Sequence, residues 1–162
     1  MSAPPPLVVY FDGASRGNPG PASYGVYSPS GIGIGERIGT TTNNVAEWRG
    51  FLAALDAAIA AGAPSVEIRA DSELVLKQFS GQYKMKAAHL AGYLREAREK
   101  ARRIPRLELR HVPRAQNKEA DRLANVALDL ASSLTAPDGA EGIASSKSPA
   151  TAVKQRRLFD EG

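Results

Sequence analysis

Four acidic residues, Asp12, Glu47, Asp71 and Asp121, fall where the chain is expected to pass into or out of a strand or helix. Side chains at such junctions converge at one edge of an α/β sheet, the usual place for chemistry. Three or four carboxylates cannot share a small space without something positive between them, because like charges raise one another's pKa. A divalent cation resolves that conflict, and a ligand set of oxygens with no Cys or His points to Mg2+ or Mn2+. Two such ions about 4 Å apart suit phosphodiester hydrolysis, one lowering the pKa of the attacking water and the other steadying the leaving oxyanion. The chain carries 17 acidic residues, so a helix cap or a plain surface charge is the competing reading for each of the four. That reading is strongest for Asp71, because Asp at a helix start is a common N-cap.

The elements that must carry these acids can be read from apolar periodicity. Leu7-Val8-Val9-Tyr10-Phe11 is a near-continuous apolar run, expected as a central strand covered on both faces and closed by Asp12. Asp12 to Pro21 reads as a loop. Residues 22–28 and 32–39 flank the turn signal Ser28-Pro29-Ser30-Gly31 and predict a hairpin. A helix opens at Thr40 to Asn44, with Val45, Trp48, Leu52, Leu55 and Ile59 on one face, and Gly62 stops it. Glu47 lies beside that face in the first turns, able to lean over the sheet edge. Ser65 to Ala70 alternates as a strand. Asp71-Ser72 is expected to cap a short helix to Phe79. A helix over about Ala87 to Arg103, a strand carrying Leu107, Leu109 and His111, and a helix over about Asn117 to Ser133 complete the series. The order β-β-β-α-β-α-α-β-α predicts an α/β fold, a mixed sheet with helices packed on its faces.

The chain has 162 residues, one domain's worth, enough to bury a core without staples. Residues 1–6 form an extended proline-rich lead-in, 7–134 the domain, and 135–162 a small, polar, Pro/Gly/Ser-rich tail expected to be disordered. The absence of cysteine excludes disulfides and thiolate metal sites and fits a reducing compartment. The apolar runs are too short to cross a bilayer, and MSAPPPLVVYF lacks the basic start of a signal peptide. A cytoplasmic, soluble monomer is the expectation. A net charge of +4 suits a polyanionic partner without requiring one.

Local sequence is more specific than composition. Tyr10-Phe11-Asp12-Gly13-Ala14-Ser15-Arg16-Gly17-Asn18-Pro19-Gly20 resembles the opening motif of type 1 ribonuclease H. Thr42-Asn43-Asn44-Val45-Ala46-Glu47 resembles that family's TNN-x-x-E helix start, Ala70-Asp71-Ser72 its strand-end DS, and Asn117-Lys118-Glu119-Ala120-Asp121-Arg122-Leu123-Ala124 its N-x-x-x-D-x-L-A closing motif. All four occur in the family's order, over roughly Leu7 to Leu134. The resemblance implies a ribonuclease H-like fold with a five-stranded mixed sheet. It implies two-metal hydrolysis of the RNA strand of an RNA–DNA hybrid, leaving 5′-phosphate and 3′-hydroxyl ends. It assigns Asp12, Glu47, Asp71 and Asp121 as catalytic metal ligands for Mg2+ or Mn2+. It further implies substrate contacts from Asn18, Asn43, Asn44 and Ser72. An asparagine offers both donor and acceptor to a 2′-hydroxyl or a base edge in the wide minor groove; turn and cap duty is the competing reading.

The chain also departs from the common pattern. Many members carry an extra basic helix that grips the DNA strand, and Gln82 to Arg103 looks too short for it, as in short, archaeal-like members. Lys84, Lys86, Arg95, Arg98, Lys100, Arg102 and Arg103 offer a thinner phosphate contact or a solvated face. The family's turnover histidine precedes the last helix. His111 has the spacing but continues a strand, whereas Arg114 lies in the loop and resembles the arginine of the short members. Arg114 is therefore expected to assist catalysis, attracting phosphate or water without acting as a base. Glu73 stands where many relatives have glutamine. In the tail, Gln155-Arg156-Arg157-Leu158-Phe159 resembles the Q-x-x-L-F peptide that docks replication proteins on a sliding clamp, with Gln155, Leu158 and Phe159 as anchors. The alternatives are another nuclease of the same fold, which the TNN-x-x-E and GNPG segments fit poorly, and a non-catalytic hybrid- or duplex-binding module, which needs no acids. A phosphate-cradling P-loop at Gly13 to Gly20 is rejected, since no Gly-Lys-Ser/Thr follows.

Overall fold

The computed structural model describes residues 4–134; the tail and its clamp-like peptide at Gln155, Leu158 and Phe159 lie outside them. Five strands, β1 (Leu7–Ser15), β2 (Gly20–Ser28), β3 (Ile32–Thr41), β4 (Ser65–Ala70) and β5 (Arg106–His111), form one sheet in the order β3-β2-β1-β4-β5. The β1–β2 and β2–β3 pairs are antiparallel, while β1–β4 and β4–β5 are parallel. The helices are α1 (Asn43–Ala61), α2 (Glu73–Ser80), α3 (Ala88–Ala101) and α4 (Lys118–Leu134), with a 3-10 turn at Arg114–Gln116. The expected element order and mixed sheet are those observed.

Helix α1 shows why the local sequence folds as it does. The Thr42 hydroxyl caps its start by accepting the Val45 N–H at 3.2 Å. Gly62 ends it in the left-handed region at φ 68°, where a side chain would be strained. Its apolar residues Trp48, Phe51 and Leu55 are fully buried, each contributing roughly 1.5–3 kcal/mol of transfer free energy. They pack on Phe11, Val9 and Val26 from β1 and β2, and α3 covers the helix from its other side. The opposite face of the sheet carries α4. Ser23 of β2 donates its hydroxyl to the Ala124 carbonyl at 2.6 Å, and a Cβ on Gly25 would collide with the Ala120 carbonyl. Gly25 pairs with Asp12 and its neighbour Tyr24 with Gly13, so the alternation of β1 and β2 divides them between the α4 and α1 faces.

Two sequence expectations need correction. Asp12 does not close the first strand, and Asp12 to Pro21 is not a loop. The ladder runs on, pairing Gly13, Ala14 and Ser15 with Tyr24, Ser23 and Ala22, because backbone hydrogen bonds continue where apolar side chains stop. Nor does Asp71 cap α2. That helix begins at Glu73 with Ser72 in the cap position and no side-chain cap hydrogen bond. Between α2 and β5 the only helix is α3, so the stretch from Gln82 to Arg103 contains no additional basic helix.

Candidate active site

The four acids arrive from four different elements. Asp12 stands in the middle of β1, 5% exposed. Glu47, in the second turn of α1, is 9% exposed and accepts the Gly13 N–H at 3.0 Å. Only glycine permits this, since a Cβ on Gly13 would collide with the Glu47 backbone nitrogen. Asp71 follows the last residue of β4, half-buried. One carboxylate oxygen from each of Asp12, Glu47 and Asp71 lies within 4.8 Å of the others. Asp121, in the first turn of α4, sits outside that triad but near enough to Asp12 for its charge to act on it. The structure thus gathers three of the predicted acids at one point and sets the fourth, Asp121, beside Asp12.

Their electrostatics follow from that crowding. Burial, then the charges of Glu47 and Asp71, then the neighbouring Asp121 carboxyl push the Asp12 carboxyl up to about 9. Burial and the Asp71 charge push Glu47 up to about 8, opposed by the Gly13 N–H and by Arg114. A set of hard oxygen donors under mutual repulsion is what a divalent cation with oxygen preference relieves. The residues present therefore fit such an ion, with Asp12, Glu47 and Asp71 converging on one point and Asp121 extending the set from Asp12.

Asp12, Glu47 and Asp71 open on a cleft of about 400 Å³ that also receives Asn43, His111 and Arg114. A larger cleft of about 860 Å³ lies at the other end of the sheet, among Pro4, Pro5, Pro64 and Pro105. It is built on the starts of β1, β4 and β5 and gathers no group of acids. Arg114 is 85% exposed and its Nε is 3.9 Å from Asp71 Oδ2, a loose pair that leaves the guanidinium available to an anion. His111 is the last residue of β5, as expected, and exposed; it lines the same cleft. Asn18 is exposed, and its Oδ1 accepts the Asn43 N–H at 3.0 Å. It thereby satisfies one of the free N–H groups that open α1 and ties the β1–β2 turn to the helix. Asn44 is exposed beside it and Ser72 half-buried beside Asp71.

Asn117 has a role that sequence reasoning missed. It is 1% exposed, and its Nδ2 donates to the Phe11 carbonyl at 2.8 Å and reaches Asp71 Oδ1 at 3.4 Å. An asparagine ahead of a helix reads locally as a cap; the one available signal was its place four residues before Asp121. A second unforeseen contact joins the elements behind the site, where Trp48 Nε1 donates to buried Gln78 at 3.1 Å and locks α1 to α2.

Comparison with known proteins agrees with this architecture. The model of a family described as "Reverse transcriptase-like" matches residues 11–127. The bifunctional protein Rv2228c of Mycobacterium tuberculosis is 43% identical over 138 residues, 82% of this chain but 38% of that protein. The chain thus spans well under half the length of that relative. The crystal structure of RNase H1 from the halophilic archaeon Halobacterium salinarum superposes with a TM-score of 0.74 at 44% identity, covering 77% of this chain and 98% of that one. LC11-RNase H1, solved in complex with an RNA/DNA hybrid, gives a TM-score of 0.70 at 38% identity, covering 77% and 98%. With a family model matched over most of its length and solved RNase H1 enzymes sharing its fold at 44% and 38% identity, the chain belongs to the type 1 ribonuclease H family.

Proposed function

We infer that this protein hydrolyses the RNA strand of RNA–DNA hybrids with the help of divalent cations, Mg2+ or Mn2+, two to a site, leaving 5′-phosphate and 3′-hydroxyl ends. The observation that carries the reading is the approach of Asp12, Glu47 and Asp71 to within 4.8 Å at the floor of an open cleft. Membership of the ribonuclease H family implies divalent metal use, and the hybrid held by LC11-RNase H1 supports the choice of substrate. No described helix is long and apolar enough to cross a membrane, which is compatible with a cytoplasmic site of action.

When bound, the cations supply Lewis acidity, activating water and stabilising the leaving oxygen of the phosphodiester. The chain's own residues do the rest. Asp12, Glu47 and Asp71 would hold the cations, with Asp121 completing the set. The Gly13 N–H fixes one oxygen of Glu47. Asn43 and Asn44 at the start of α1, with Asn18 bracing that turn, present amides to the hybrid's minor groove, where a 2′-hydroxyl distinguishes RNA from DNA. Arg114, exposed at the cleft mouth, attracts the scissile phosphate electrostatically and does not move protons.

The test is a side-by-side assay of RNA–DNA hybrid, duplex RNA and duplex DNA, each strand labelled, with Mg2+, Mn2+ or chelator. The expected result is metal-dependent cutting of the hybrid's RNA strand, with 5′-phosphate ends. Inertness toward the hybrid with either metal, or equal cutting of duplex DNA, would overturn the reading.

A further inference from the structure

We propose that Asn117 is a positioning residue that fixes the separation of the Asp12 and Asp71 carboxylates and so sets the affinity of the site for its divalent cation; this rests on the metal-site reading above. The residue is buried in the joint between the 3-10 turn and α4. Its Nδ2 bonds the carbonyl of Phe11 at 2.8 Å, one residue before Asp12, and meets Asp71 Oδ1 at 3.4 Å. Both partners only accept, so the amide has a single workable orientation. Its backbone carbonyl accepts the Asp121 N–H at 3.1 Å. One residue therefore touches the β1 backbone beside Asp12, the side chain of Asp71 and the turn that carries Asp121. Its contact occupies Oδ1 of Asp71, while Oδ2 is the oxygen nearer Arg114. Groups that orient metal-binding side chains in this way typically govern affinity by about 10–100-fold. A merely structural asparagine, pinning α4 to β1, would govern stability alone.

The two roles separate in the full chain through Asn117→Leu, which keeps the branched shape and removes the donor, and Asn117→Ala as a second variant. Mn2+ binding is measured by calorimetry without substrate, beside hybrid KM and kcat. The expected result for a folded variant is Mn2+ affinity weakened about 10–100-fold, KM for the hybrid near the parent value, and kcat reduced but recovered by raising the metal concentration. Parent-like Mn2+ affinity in a folded variant overturns the proposal alone. Loss of folding in both variants that Mn2+ does not restore overturns it in favour of the structural role. A parent chain that does not bind Mn2+ overturns the metal-site reading and this proposal with it.

Discussion

Asp12 is held where a carboxylate is least comfortable, buried on β1 and facing the charges of Glu47, Asp71 and Asp121. Such a site trades stability for function, and replacing the acid should expose both sides of that trade. Asp12→Asn keeps the shape and removes the repulsion. In metal-free buffer at pH 8 its Tm should equal or exceed that of the parent, while hybrid turnover falls by orders of magnitude; a mutant with near-normal turnover would contradict the ligand assignment. The same crowding predicts a pH dependence with a definite sign. Asp12 and Glu47 are raised from 3.8 and 4.5 to about 9 and about 8, so between those limits the folded state binds more protons than the unfolded one. Metal-free stability should therefore fall as pH rises from about 4 to 9. Thermal melts at pH 5.5 and 8.5 check this, and the rise in Tm on adding Mn2+ should be larger at the higher pH.

At the scale of elements, glycines rather than acids decide whether the site assembles. Gly13 lets the first turns of α1 lie against β1, and Gly25 lets α4 do the same on the opposite face. Gly25→Ala would push its methyl into the Ala120 carbonyl, next to Asp121. The expected outcome is a loss of about 1–3 kcal/mol from overpacking, measured by urea unfolding, with a fall in kcat from the displaced Asp121. Unaltered stability would mean that α4 sits less closely on the sheet than described. Much of this level was legible in the sequence. Thr42 and Gly62 mark the ends of α1, and the alternation of Val66, Ile68 and Ala70 marks β4. What was not legible depends on partners distant along the chain. Gly13-Ala14-Ser15 carries no apolar signal, and only pairing with residues 22–24 makes it strand. Asp71-Ser72 reads locally as a cap, whereas tertiary contact turns Asp71 toward Asp12. Asn117 finds Phe11 across 106 positions, a relation no local pattern contains.

The whole molecule gathers the centre of β1, the ends of β4 and β5 and the starts of α1 and α4 at one edge. Both helix starts favour negative charge through their free N–H groups and macrodipoles, which eases the gathering of acids without cancelling their repulsion. The chain is nonetheless basic overall, at +4, and exposed Lys84, Lys86, Arg95 and Arg98 lie on the α2–α3 side, so a polyanion can be attracted to the surface while its scissile phosphate enters the acid cluster. The clamp reading of the tail belongs to this scale too. Deleting residues 153–162 should abolish co-elution with a bacterial sliding clamp while leaving hybrid cleavage intact; unchanged co-elution would remove that partner. The account depends most on the four acids being a cation site. Anomalous diffraction from crystals soaked in Mn2+ tests this most directly. The predicted result is anomalous density bounded by Asp12, Glu47 and Asp71, with Asp121 reaching a second peak. Density absent from that cluster while Mn2+ occupies other surface carboxylates would contradict it.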